Sequence, residues 1–193
     1  MKKIGFSGKC TNGNIIELAD QIRRLKEVGV NSLEVPIYET DVICGKKINQ
    51  PELKILKETL LNKDIDYTVH GELSVNLMDQ ENFEDHKEVL KRDIEVSGAI
   101  KATHLVTHFG QTTNKIFENN DLYFSHMKRQ QDCYAEMGEY AKKYNVTLAI
   151  ENLFPFSNEN YAPLPSEIAK QLKEINHPNV KCCLDISHGY INC

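Results

Sequence analysis

The sequence predicts an α/β fold of the (β/α)8 TIM-barrel type, with about six βα units in residues 1–193. Three observations lead there. Short β-type runs alternate strictly with helical segments, which implies a parallel sheet with helices outside it. Within the strands one parity is apolar and the other small or polar. Acids and histidines recur at the C-terminal ends of successive strands, on the polar parity.

The elements follow in order. Ile4 to Ser7 reads as a first strand, and Leu18, Ile22 and Leu25 mark a helix that Gly29 stops. Ser32 to Pro36 is a second strand. Pro51 suits a first helical turn, with Leu53, Leu56 and Leu60 as the apolar stripe. Asp66 to His70 is a third strand, and a helix around Asp85 to Gly98 carries Leu90 and Ile94. Thr103 to His108 is a fourth strand. A longer helix presents Tyr123, Met127, Tyr134, Met137 and Ala141 on one face, a core stripe. Val146 to Glu151 is the fifth strand, Ser166 is placed to cap a helix bearing Ile168, Leu172 and Ile175, and Val180 to Asp185 is the sixth.

Strand parity separates a barrel from an open sheet. Leu33 and Val35 oppose Ser32 and Glu34; Tyr67 and Val69 oppose Asp66, Thr68 and His70. Val146, Leu148 and Ile150 oppose Thr147, Ala149 and Glu151, and Val180, Cys182 and Leu184 oppose Lys181, Cys183 and Asp185. An open sheet covered on both faces should be apolar on both. A barrel with a narrowing lumen and a polar mouth fits better. The first strand-to-helix loop, Ser7-Gly8-Lys9-Cys10-Thr11-Asn12-Gly13, holds neither a dinucleotide fingerprint nor a P-loop.

The net charge of −5 argues against a nucleic-acid partner, which would favour a basic face. Met1-Lys2-Lys3 leads straight into Ile4-Gly5-Phe6 with no leader pattern, and no run is long enough for a membrane span. A cytoplasmic chain is expected, with Cys10, Cys44, Cys133, Cys182, Cys183 and Cys193 as reduced thiols.

Glu34, His70, His108, Glu151 and Asp185 follow one another at gaps of 36, 38, 43 and 34 residues, about one βα unit each. Each stands on the inward parity at the strand end that carries active sites in barrels. Packing gives no reason to crowd acids and imidazoles together, and a bound cation relieves their repulsion and desolvation. Carboxylate and imidazole ligands without cysteine suit zinc, manganese or cobalt; magnesium is also admissible. His188, three residues beyond Asp185, can reach back over the same mouth. His104 shares parity with His108 but sits deeper and is read as structural; His86, His126 and His177 carry no such pattern.

At Val69-His70-Gly71 with Ser74-Val75-Asn76-Leu77, Leu105 to Gly110, Ala149-Ile150-Glu151-Asn152 and Cys183 to Gly189, the chain resembles the xylose-isomerase-like barrel superfamily. That group holds sugar isomerases and epimerases beside an endonuclease IV branch. The resemblance implies that Glu151 and Asp185 are metal ligands, that Glu151 also moves a proton, and that His188 contacts substrate. In the endonuclease branch, histidines matching His70 and His108 bind zinc. The expected site is therefore Glu151 as catalytic residue, Glu151, Asp185, His108 and His70 on the metal, and His188 with Glu34 on the substrate. The expected activity is a metal-dependent isomerase or epimerase acting on a small sugar or polyol. The alternatives are a zinc endonuclease at abasic sites and a non-catalytic truncated barrel. The family barrel needs about 250 residues. Residues 1–193 are therefore expected to form a single barrel domain that ends after strand six, with open edges able to pair with a second copy.

Overall fold

A computed structural model describes residues 3–61 and 63–192. Met1, Lys2, Asn62 and Cys193 lie outside the described residues. Six parallel strands form the central sheet: β1 (Gly5–Ser7), β2 (Ser32–Pro36), β3 (Asp66–His70), β4 (His104–His108), β5 (Thr147–Glu151) and β6 (Val180–Cys183). They lie side by side in chain order. Each hydrogen-bonded neighbour is thus reached by one crossover, as a barrel sheet requires. The main helices are α1 (Glu17–Glu27), α2 (Gln50–Leu60), α3 (Phe83–Ala99), α4 (Asn120–Lys142), α5 (Pro165–Ile175) and α6 (Ile186–Ile191). No helix among the described residues is long and apolar enough to cross a membrane.

In β2, β3 and β5 the predicted apolar parity is the packed one, whereas in the predicted sixth strand Val180 is buried but Cys182 and Leu184 are exposed, since β6, like β1, is an edge strand. Leu33, Val35, Val69, Leu105, Leu148 and Ile150 have no exposed surface, and neither do Leu18, Leu56, Leu90, Ile94 and Ile168 on the helices. The long stripe on α4 is core throughout, with Tyr123, Met127, Tyr134, Met137 and Ala141 all buried. In β3 burial alternates residue by residue, Tyr67 and Val69 buried, Asp66, Thr68 and His70 half-buried. Gly29 ends α1 as expected. At φ +83° it lets Val30 N–H bond the Leu25 carbonyl and its own N–H bond Lys26, a left-handed helix stop.

Four local expectations change. The outer face of β1 is not covered: Ile4 is 64% and Phe6 59% exposed, because β1 is an edge strand with β2 as its one neighbour. The sixth strand stops at Cys183, since Asp185 leaves the ladder to cap α6. Ser166 is not the cap of α5. That helix opens at Pro165, and the Glu167 carboxylate reaches back to accept from Leu164 N at 2.8 Å. His104 does sit at the far end of its strand, the start of β4, but there it is exposed, its Nδ1 2.9 Å from Thr103 Oγ1.

Two short ribbons brace the loops. Ile43–Cys44 pairs antiparallel with Lys47–Ile48. Thr112–Thr113 pairs antiparallel with Asn160–Tyr161, joining the loops that follow β4 and β5. The five described cysteines are unpaired thiols.

Candidate functional site

Register brings the strand ends together. His108 stands opposite Glu151, Glu151 opposite Cys183, and Ser7 opposite Glu34. Glu151 is the hub. Its Oε2 lies 3.3 Å from His108 Nε2 and 3.4 Å from His70 Nε2. On its other side Oε1 is 3.9 Å from His188 Nδ1, and that nitrogen is 3.9 Å from Asp185 Oδ2. Two groups, His70–His108–Glu151 and Glu151–Asp185–His188, each offer ligand atoms within 4.8 Å of one another. Four predicted ligands are thus gathered, with His188 beside them. Glu34 belongs to neither group, and its Oε1 accepts from Ser7 Oγ at 3.1 Å.

The hydrogen bonds fix what each ring presents. A backbone carbonyl only accepts, so His70 Nδ1, 3.2 Å from the Gly71 carbonyl, carries a proton. In the neutral ring this leaves a lone pair on Nε2, facing the Glu151 carboxylate. Glu151 Oε2 is itself buried without a hydrogen-bond partner. Two electron-rich atoms in contact need a proton or a cation between them. A histidine whose second nitrogen bonds a backbone carbonyl is the usual arrangement of a metal ligand. The donor set therefore fits a divalent ion. The same logic gives His188 another part: its Nδ1 donates to the Asn152 carbonyl at 2.9 Å, so only Nε2 is left for a ligand.

Burial opposes charge on Glu151, but the His108 and His70 imidazoles beside it, when they carry the intervening proton, outweigh it and hold the carboxyl at about 2. Burial also pulls His70 downward, and its contacts with Glu151 and Gly71 reverse this, leaving it above the ordinary imidazole value. Burial, then the Glu151 and Glu34 charges, push the Cys183 thiol up to about 12, so it is protonated in the lumen.

The sequence model of the xylose isomerase-like TIM barrel family matches residues 22–193. The chain belongs to this family. Solved structures show the same fold. A D-tagatose 3-epimerase-like protein superposes on this xylose isomerase-like barrel with a TM-score of 0.71 at 19% identity, over 97% of this chain and 66% of its own. A 3-keto-D-glucoside 4-epimerase from E. coli gives 0.71 at 14% identity, over 99% of this chain and 71% of its own. A D-psicose 3-epimerase, crystallised in the presence of D-fructose, gives 0.69 at 17% identity, over 98% and 65%. The chain thus spans about two thirds of the length of these relatives. A search of curated proteins finds no match.

Two residues of this family member's site were not singled out by sequence reasoning. Asn152 accepts from Asp185 N at 2.8 Å through Oδ1 and donates to the Asp185 carbonyl at 2.8 Å through Nδ2. Its sequence signal is its place in the Ala149-Ile150-Glu151-Asn152 stretch, where the resemblance gave it no role. Tyr38 meets the His70 ring edge-on at 5.2 Å, from a loop with no periodicity to reveal it.

Proposed function

We propose that the chain is a metal-dependent isomerase or epimerase acting on a small sugar or polyol. The observation that carries this is the buried, partnerless Glu151 Oε2 facing two imidazole Nε2 atoms. Glu151, His70, His108 and Asp185 would hold the ion. When bound, a divalent ion polarises a carbonyl and an adjacent hydroxyl and neutralises charge that develops on them. Glu151 is ionised at neutral pH and so able to take a proton from the carbon beside that carbonyl and return it. His188, oriented by Asn152, is assigned to the substrate through Nε2, and Glu34, held by Ser7, to a substrate hydroxyl. The family and its epimerase neighbours support this reading. The net charge of −5 and the epimerase neighbours weigh against the endonuclease alternative.

The test is exchange of substrate C–H protons into heavy water across a panel of ketoses, followed by NMR with added manganese, cobalt, zinc or magnesium. At least one ketose should exchange with the native chain and none with Glu151→Gln. Metal binding without any exchange would remove the catalytic reading.

A further inference from the structure

A cavity of about 580 Å³ begins at His108 and runs outward between the loops that follow β3, β4 and β5. Its volume falls in the range that holds a drug-sized ligand, about 300–1,000 Å³. The walls are mostly apolar, with Val75, Phe109 and Leu153 buried in them and Leu73 and Phe156 exposed at 48% and 66%. Exposed side chains of that size, gathered around one opening beside a polar cluster, mark a binding surface.

Charge narrows the occupant. No lysine or arginine lines the cavity, while Asp79 and Glu81 do. Arg129 lies behind Gln80 and is already engaged, bonding Gln80 Oε1 at 2.9 Å and Glu84 at 3.2 Å with its guanidinium over the Phe83 ring. A phosphate would meet Asp79 and Glu81 and neither a lysine nor an arginine. Three residues of the wall also have a polar atom buried without a partner in the protein, beneath the cavity surface rather than on it: Thr112 Oγ1, Gln80 Nε2 and His126 Nδ1. Because Gln80 Oε1 accepts from Arg129, its Nε2 is fixed as a donor.

We infer that this cavity takes the apolar substituent of an uncharged sugar derivative that keeps a carbonyl, such as the aromatic aglycone of a keto-glycoside, while the sugar ring lies over the Glu151 cluster. The inference rests on the proposed function and narrows its substrate class to unphosphorylated sugars bearing an apolar group. His108 is common to cavity and cluster, so ring and substituent are neighbours across one side chain.

The test follows the labelled methyl groups of Leu73, Ile116 and Leu153 by NMR in the full chain, with methyl β-D-glucopyranoside, benzyl β-D-glucopyranoside, benzyl alcohol and glucose 6-phosphate as probes. Both benzyl probes should shift these methyls, and the benzyl glucoside should bind at least about tenfold tighter than the methyl glucoside. Ile116→Trp fills the cavity and should erase that preference. If it loses its native spectrum, Phe156→Ser at the exposed rim should weaken benzyl binding severalfold. Unshifted methyls with both benzyl probes, or equal shifts with glucose 6-phosphate, would overturn the inference. Metal calorimetry on the same samples reports on the Glu151 cluster alone, so loss of metal binding and loss of benzyl binding are separate results.

Discussion

Asn152 places two hydrogen bonds on the Asp185 backbone and offers its own carbonyl to His188. Asn152→Ala should leave the Asp185 N–H unpaired, while the Asp185 carbonyl keeps the bond from Gly189 N–H at 3.0 Å, costing about 1–3 kcal/mol in urea unfolding. It should also lower divalent affinity about 10–100-fold by calorimetry, because it frees a ligand rather than removing one. An unchanged affinity would show that Asp185 is no ligand. Asp93 is a second buried polar residue beside the site. It has no exposed surface, its Oδ2 accepts from Glu72 N at 3.2 Å, and Oδ1 has no partner. Burial, reinforced by the nearby Glu72, pushes its carboxyl well above the usual 3.8. The native state therefore binds the proton more tightly than the unfolded chain. Stability from this group is complete below pH 3.8 and declines as pH rises through the folded value. Asp93→Asn should raise the melting temperature at pH 8 and leave it nearly unchanged at pH 3.5; equal shifts at both would refute the assignment. The hub residues were legible because inward parity and βα spacing both select them. Glu34 satisfies the same two criteria, yet Ser7 holds it apart. Parity tells which face a side chain takes and not which neighbour it meets.

At the level of the element, the period-two alternation of apolar and polar residues made β2, β3 and β5 readable, although burial itself alternates in β3 and not in β2 or β5, and the apolar stripe did the same for α4. The misread ends share one cause: a side chain replaces a backbone partner. Glu167 accepts from Leu164 N and, within 2.7–2.8 Å, from the Tyr161 hydroxyl, so it starts α5 and ties it to the Thr112–Thr113 ribbon. Pro165 and Ser166 look like the start, and the residue that makes it lies just beyond them. Glu167→Ala should lower the urea midpoint by the equivalent of about 1–2 kcal/mol at unchanged m value. A Glu167→Gln chain should recover part of the loss, since the amide oxygen still accepts. The same loss for both variants would point to the charge instead of the cap.

Over the whole molecule, the sheet order follows the chain order, and His70, His108, Glu151 and Asp185 come from four different βα units. Metal binding should therefore stabilise the entire sheet rather than one loop. At a hundredfold excess over the dissociation constant the gain is about 2.7 kcal/mol. In a chain of this size that raises the melting temperature by about 5–10 °C. Chelator should reverse the shift, and Glu151→Gln should show none; a native chain indifferent to every ion would contradict the metal assignment. The barrel-type sheet was visible in the sequence because parallel strands buried by helices on one face and facing a lumen on the other leave a two-sided code. The cavity beside His108 was not, because loops from three separate units build it. One further consequence concerns folding fidelity. Asn152 acts as a side-chain rung beyond the last backbone pair, Glu151 with Cys183. A slip of β6 by one residue would turn Cys182 inward and carry Asp185 away from that rung. Chains with a misaligned sixth strand would then lack the second ligand group altogether, so affinity for the ion doubles as a quality check on how the sheet was assembled.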